Sequence, residues 1–384
     1  MNIISAGNDY SLALDRNGCV WAWGKIPWAS ERCHDVWLSP KKVAGLPEAV
    51  SISAGSNHFL VLDAGGRVWA NGNNNLGQLG DGTNIDSQAP VQVKGLPDTV
   101  FISAGWDHSL SIDDSGTVWG WGSNSFGQLG DGTCENSSVP VMLDELPPMV
   151  SVSGGSNYTL SLTEDGSVYA WGNNGFGQLG DGTRKGCLFP AHVPGLSCIK
   201  SISAGHLHSL ALDENGFVWA WGSNNKRQLG DGTKDNQVSP VKIGSPSGIA
   251  AIAAGRNHSL AVNSDGFVFA WGWNKFGQLG DGDSLDILSV LGGGSKKTYL
   301  PFRISGLSDI VLLSADNHSL TLDKDGCIHA WGMNRCGQLG DGAAVDRFVP
   351  VRVKGLPVVE VGSSKNNKKL VDSLLSKKNV RSLL

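Results

Sequence analysis

The chain has 384 residues, 40% of them apolar and 17% charged, with a net charge of −5 and a pI near 6.0; this is enough apolar sequence for a large core and excludes intrinsic disorder. Glycine, at 53 residues, is about twice its usual share of roughly 7%, yet proline is only 15 and no Gly-X-Y period appears, which excludes collagen and low-complexity linkers. No stretch approaches the roughly 18 apolar residues that span a bilayer, and Met1-Asn2-Ile3-Ile4 enters patterned sequence without a charged-then-apolar leader, so an intracellular protein, or one exported without a Sec signal, is expected.

In chain order, the segment Ile4 to Tyr10 returns as Ile52 to His58, Ile102 to His108, Val152 to Tyr158, Ile202 to His208, Ile252 to His258 and Leu312 to His318. The steps are 48 residues, then four of 50, then 60. A Trp-Gly pair keeps the same beat, ending at Gly24, Gly72, Gly122, Gly172, Gly222, Gly272 and Gly332, with Asn71 in the tryptophan place once. Within one copy, alternating Leu210 and Leu212, then Val218 and Ala220, flank Asp213-Glu214-Asn215-Gly216, the signature of a hairpin. A loop, then Gln228-Leu229-Gly230-Asp231-Gly232, then an extended Pro240-Val241-Lys242-Ile243 complete about four short strands per copy. Small sheets that each leave an apolar face uncovered must pack on neighbours, and seven of them close radially. The expected fold is therefore an all-β, seven-bladed β-propeller over residues 1–362. A truncated echo, Val358-Val359-Glu360-Val361-Gly362, follows the last copy, so the strand near Val351 to Val361 is expected to pair with N-terminal strands and close the ring.

The seven cysteines are odd in number, widely spaced and without a C-x-x-C pair, and are read as incidental thiols. Residues 363–384 hold six Lys/Arg and one acid, which leaves 24 basic and 34 acidic residues, a charge of −10, on 1–362. An acidic body carries a basic tail. Leu370, Val371, Leu374 and Leu375 fall on one helical face beside Lys368, Lys369, Lys377 and Lys378, and the tail is expected to be a separate appendage.

The run Trp121-Gly122-Ser123-Asn124-Ser125-Phe126-Gly127-Gln128-Leu129-Gly130-Asp131-Gly132-Thr133, preceded by Ala104-Gly105 and His108-Ser109-Leu110, resembles the regulator of chromosome condensation repeat family. The Gln-Leu-Gly-Asp-Gly core starts at 78, 128, 178, 228, 278 and 338; the first copy has lost it and carries Trp28, Cys33 and Trp37 instead. The resemblance covers residues 3–362. It implies a protein that works by presenting loops to a protein partner, because the family includes the exchange factor for the Ran GTPase, the plant ultraviolet-B photoreceptor, β-lactamase inhibitors and bacterial effectors that activate Ran. A light sensor is not expected, because only Trp106-Asp107-His108-Ser109 approaches the photoreceptor's tryptophan motif.

No nucleophile–base pair, carboxylate dyad, dinucleotide motif or phosphate loop stands out, so no bond-making active site, cofactor or metal is expected. Three functions stand: a guanine nucleotide exchange factor for a Ran-like small GTPase, a scaffold or inhibitor unrelated to GTPases, and a chromatin-associated protein. The acidic body argues against direct nucleic acid binding. A monomer is expected.

The candidate partner-binding residues lie where the repeat recurs or breaks. His58, His108, His208, His258 and His318 occupy one repeated position, with Tyr10 and Tyr158 completing the ring. Two readings stand for them: hydrogen bonds to the backbone of the adjacent blade, or contacts to a partner. The pair before each varies, and its members Trp106, Asp107, Arg256 and Asp316 are expected on one face, with Trp106 exposed as an anchor. Lys226 and Arg227 replace Phe-Gly in the fifth copy and join Lys234, Arg184 and Lys185 in a basic patch. In the sixth copy an insertion carries Ile287 to Leu291, a Gly-rich tip with Lys296 and Lys297, and Thr298-Tyr299-Leu300. Its Leu291, Lys296, Lys297 and Tyr299 are expected on a projecting hairpin that engages the partner.

Overall fold

The computed structural model describes residues 2–26, 36–282, 299–357 and 359. The described residues form seven four-stranded antiparallel sheets and no helix, so the expected seven-bladed β-propeller is the fold. The first blade is β1 (Ile4–Ala6), β2 (Tyr10–Leu14), β3 (Val20–Lys25) and β4 (Val36–Lys42), paired in that order. The other six follow in sequence over 49–92, 99–143, 149–192, 199–242, 249–303 and 310–352. The first strands of neighbouring blades touch around the ring, which places them at the axis and the fourth strands at the rim.

The hairpin turns are held by a side-chain acceptor, an aspartate in all blades but the fourth and sixth, where Thr163 and Asn263 take its place. Asp213 accepts from the backbone N–H of Phe217 at 2.9 Å and from the Trp219 indole at 3.1 Å, while Gly216 takes φ +78°. Leu229 is fully buried, and Asp231 accepts from Asn224 Nδ2 and the Thr233 N–H, so the Gln-Leu-Gly-Asp-Gly segment builds the blade. The apolar clusters straddle blade pairs: Leu160, Leu162 and Val168 of the fourth blade pack with Ala211 and Trp221 of the fifth. No single blade could bury these residues alone, which is why the chain needs the ring.

The N- and C-terminal blades close that ring. The seventh is β25 (Ile310–Ala315), β26 (His318–Asp323), β27 (Ile328–Gly332) and β28 (Arg347–Arg352), and β1 packs on β25 and β26. The expected pairing of Val351 with an N-terminal strand is not what forms: Val351 pairs with Ala330 of β27, so each blade is continuous in sequence. Closure is made instead by side chains across the seam, with Ser314 Oγ accepting from the Ala6 N–H at 2.9 Å and Val359 buried among Ile3, Ile4 and Leu14. Residues 363–384, the expected appendage, lie outside the described residues.

Candidate functional site at the channel mouth

Two loops of every blade emerge at one end of the ring: the turn before the repeated histidine and the loop after the Trp-Gly pair. They are tied together, as where the Ser223 N–H donates to the Leu207 carbonyl at 2.8 Å.

The histidines themselves are inside. His58, His108, His208, His258 and His318 are wholly buried, each with Nε2 against a hydroxyl of the next blade: Ser109 at 2.9 Å, Thr159 at 3.2 Å, Ser259 at 2.9 Å, Ser319 at 2.8 Å and Ser11 at 2.6 Å. The expected bond to neighbouring backbone is made by the tyrosines instead, Tyr10 to the His58 carbonyl and Tyr158 to that of His208. Each serine or threonine hydroxyl gives its proton to a backbone carbonyl, as Ser109 does to Gln78 at 2.8 Å, so its oxygen accepts from Nε2–H and the Nε2 tautomer is set. Burial pushes the imidazoles down, to about 4 for His58 and about 3 for the other four, leaving them neutral. Such side chains hold blades together and offer a partner no surface.

The residues that do reach the face meet across the axis. Arg256 of the sixth blade lays its guanidinium 4.8 Å from the ring centre of Trp106 in the third and donates to Asn8 Oδ1 of the first at 3.3 Å. His206 of the fifth blade meets Trp106 edge-on at 4.8 Å, and Asn317 donates to Asn8 Oδ1 at 2.8 Å. Trp106 is therefore half-buried and stacked, not the free anchor expected, because His206 and Arg256 of two other blades converge on it. Beneath lies a narrow cavity of about 100 Å³ walled by alanine and glycine backbone, with Asp316 at its edge.

Asp316 does not occupy the variable position that the spacing suggests. Its N–H donates to the His318 carbonyl as that of Gly255 does to His258, and its carbonyl accepts from Arg256 as that of Gly255 does from His206. The last turn is thus one residue shorter, with aspartate at the glycine place. Burial pushes the Asp316 carboxyl up to about 6 against the pull of Arg256, and Oδ1 has no partner. Burial also raises Asp9 and Asp107 and pushes His206 down to about 4, with Arg256 adding to the latter shift. The carboxyls of Asp9 and Asp316 thus lie within electrostatic reach of one guanidinium beside an aromatic ring, an arrangement suited to gripping a polar, charged protein surface. Asn8 and His206 complete it; their only sequence signal was variability beside the repeated histidine or tyrosine.

Lys226 is exposed at the rim of this face, whereas Arg227 is held. Arg227 stands where other blades have glycine and keeps the left-handed conformation, φ +66°. Elsewhere that glycine abuts the next blade's outer strand; a Cβ on Gly177 would lie 2.8 Å from Val238 Cα. In the sixth blade the described outer strand, β24 (Phe302–Arg303), is two residues long, and Tyr299 is the neighbour: the guanidinium stacks 3.9 Å from its ring centre and donates to its hydroxyl at 2.9 Å. The Lys226-Arg227 break and the insertion are one feature seen from two blades. Leu291, Lys296 and Lys297 lie outside the described residues.

Residues 30–369 match the RCC1-like domain, and residues 3–25 match the regulator of chromosome condensation (RCC1) repeat. Over 86 residues the chain is 31% identical to the Protein RCC2 homolog of Danio rerio, a match covering 21% of this chain and 17% of that protein. Prp20p of Saccharomyces cerevisiae, described with its binding properties to Gsp1p and histones, shares the fold at TM-score 0.78 and 22% identity over 98% of this chain and 97% of its own. Human WBSCR16 does so at TM-score 0.75 and 24% identity, over 88% and 94%. With the family match spanning nearly all of the ring, the chain belongs to the RCC1-like domain family.

Proposed function

We propose that this chain is a protein-binding regulator that promotes guanine nucleotide release from a Ran-like small GTPase, docking it on the face that carries the channel mouth. The observation that carries the reading is the cluster of Trp106, His206, Arg256 and Asn8, drawn from four blades onto the axis in a protein of the RCC1-like family. Prp20p, which shares this fold, is described as binding Gsp1p, and that is the analogy extended here.

Such a factor needs no acid or base. It binds the nucleotide-free GTPase more tightly than the loaded one, and by linkage nucleotide then binds the complex less tightly. Asp9, Asp107, Arg256 and Asp316 would supply charge for that discrimination, and the insertion around Tyr299 would add contact at the rim. The basic tail is proposed as a separate docking element. The test is release of a fluorescent GDP analogue from a panel of small GTPases. A Ran-type member should be accelerated by the wild type and not by Trp106→Ala with Arg256→Ala; no acceleration of any member overturns the reading.

A further inference from the structure

A second surface is built on the loops after the Trp-Gly pairs of the fifth, sixth and seventh blades. In four blades the residue after that pair is Asn73, Ser123, Asn173 or Ser223, and each accepts from the following glutamine side chain, at 3.0, 3.0, 3.1 and 3.3 Å. The sixth and seventh blades place Trp273 and Met333 there. In the seventh this leaves Gln338 Nε2 buried without a partner, a cost the other blades avoid. Two apolar side chains thus stand on the surface where the repeat calls for a hydrogen-bonding one.

Cations gather beside Trp273 and its neighbour Phe276. Lys226 Nζ lies 5.8 Å from the Trp273 ring centre, and Trp273 meets Phe276 edge-on at 5.3 Å. Lys275 and Arg335 lie 5.7 and 5.3 Å from the Phe276 ring centre. Farther along the fifth blade's loop, Lys234 lies 5.9 Å from that of Tyr299. Lys226, Lys275 and Arg335 are exposed, and of these three only Arg335 approaches a carboxylate among the described residues, Asp346 at 4.0 Å.

We infer that this arc of Lys226, Trp273, Lys275, Phe276 and Arg335 is a docking surface for an acidic, partly apolar polypeptide segment. Charge complementarity points there: the arc is cationic on a body of net −10, and at physiological salt a bound segment senses charge only over about 8 Å. A nucleic acid fits less well, because cations already sit against the rings on which bases would stack, and a long polyanion would run out over the acidic body. The surface shares an end of the ring with the channel mouth but is built from other side chains, and it does not depend on the partner there being a GTPase.

The test is fluorescence anisotropy of a labelled peptide of repeated Glu-Leu-Asp against the full chain, with a labelled oligothymidine of matching charge alongside. Wild type should bind the peptide more tightly than the oligothymidine, and Lys226→Ala with Lys275→Ala and Arg335→Ala should weaken it by about tenfold. Trp273→Asn should weaken it as well, while restoring the hydrogen-bonding residue type. A control pair, Lys94→Ala with Lys354→Ala on the rim away from this face, should leave affinity unchanged. No peptide binding, an equal loss in the control pair, or tighter binding of the oligothymidine overturns the inference; all the substituted side chains are exposed or half-buried, and a melting curve identifies any variant that has lost its fold.

Discussion

The indole Nε1 of Trp121 donates to the backbone carbonyl of Gln78 at 2.9 Å, across the junction between the third blade and the second. Trp23, Trp171, Trp221, Trp271 and Trp331 make the same bond to Gln338, Gln128, Gln178, Gln228 and Gln278. The second blade breaks the series with Asn71 and Phe59 in place of tryptophan and serine, and the blade it packs against is the first, the copy without Gln-Leu-Gly-Asp-Gly. Donors and acceptor have been lost together, because a buried indole N–H or hydroxyl without its carbonyl would stand unpaired.

Trp121→Phe should therefore cost more than its lost volume. It removes one of the two donors to Gln78 O, the other being Ser109, and is expected to destabilise by about 1–3 kcal/mol, against about 3–5 kcal/mol for Trp121→Ala. Asn71→Trp should also destabilise, since it overfills a fully buried site. Urea unfolding of the three variants checks this; stabilisation by Asn71→Trp would refute the pairing.

Acid should unfold the ring through its histidines. Their folded values of about 3 to 4 lie below the ordinary 6.5, so the unfolded chain binds more protons: stability is full above about pH 6.5 and falls as pH drops towards 4. Asp316, raised to about 6, works in the opposite sense, as do the raised carboxyls of Asp9 and Asp107, but the five histidines together with His206 outnumber them. The loss should be on the order of 1 kcal/mol per histidine at pH 5.5. Calorimetry from pH 7.5 to 5.5 should show a falling melting temperature, with a shallower slope for His258→Gln.

Gly105 and His108 should be coupled. A Cβ on Gly105 would sit 2.2 Å from His108 Cε1, because the imidazole lies on the glycine. Gly105→Ala is expected to cost about 2–3 kcal/mol, while in the His108→Ala background the same change should cost less than about 1 kcal/mol. Additive costs in a double-mutant cycle would show that the ring is not what demands glycine.

At residue 227, glycine should be tolerated better than alanine. Arg227→Gly removes the stack on Tyr299 but suits φ +66°, so its stability should lie within about 1 kcal/mol of wild type. Arg227→Ala loses the stack and keeps the unfavourable backbone, and should be lower than the glycine variant by about 1 kcal/mol. Thermal melts of the pair give the answer.

The period, the four strands of a copy and their turns were legible in the chain because each depends on residues close together: Asp213 and Trp219 are six apart, and Asn224 and Asp231 seven. Hydrophobic alternation and a glycine at each turn report such local geometry directly. The ring followed by counting. What counting could not supply was the destination of a side chain leaving its own blade. His58 meets Ser109 51 residues on, Asp316 takes a glycine's place because its turn is one residue shorter, and Arg227 is admitted because Tyr299 is its neighbour. The channel mouth is the furthest case, since Trp106 and Arg256 hold the same repeat position but stand in blades that are not adjacent, with no local pattern to join them. Only closure of the sheets around an axis brings opposite blades within contact distance, and that closure is a property of all the interblade packing at once.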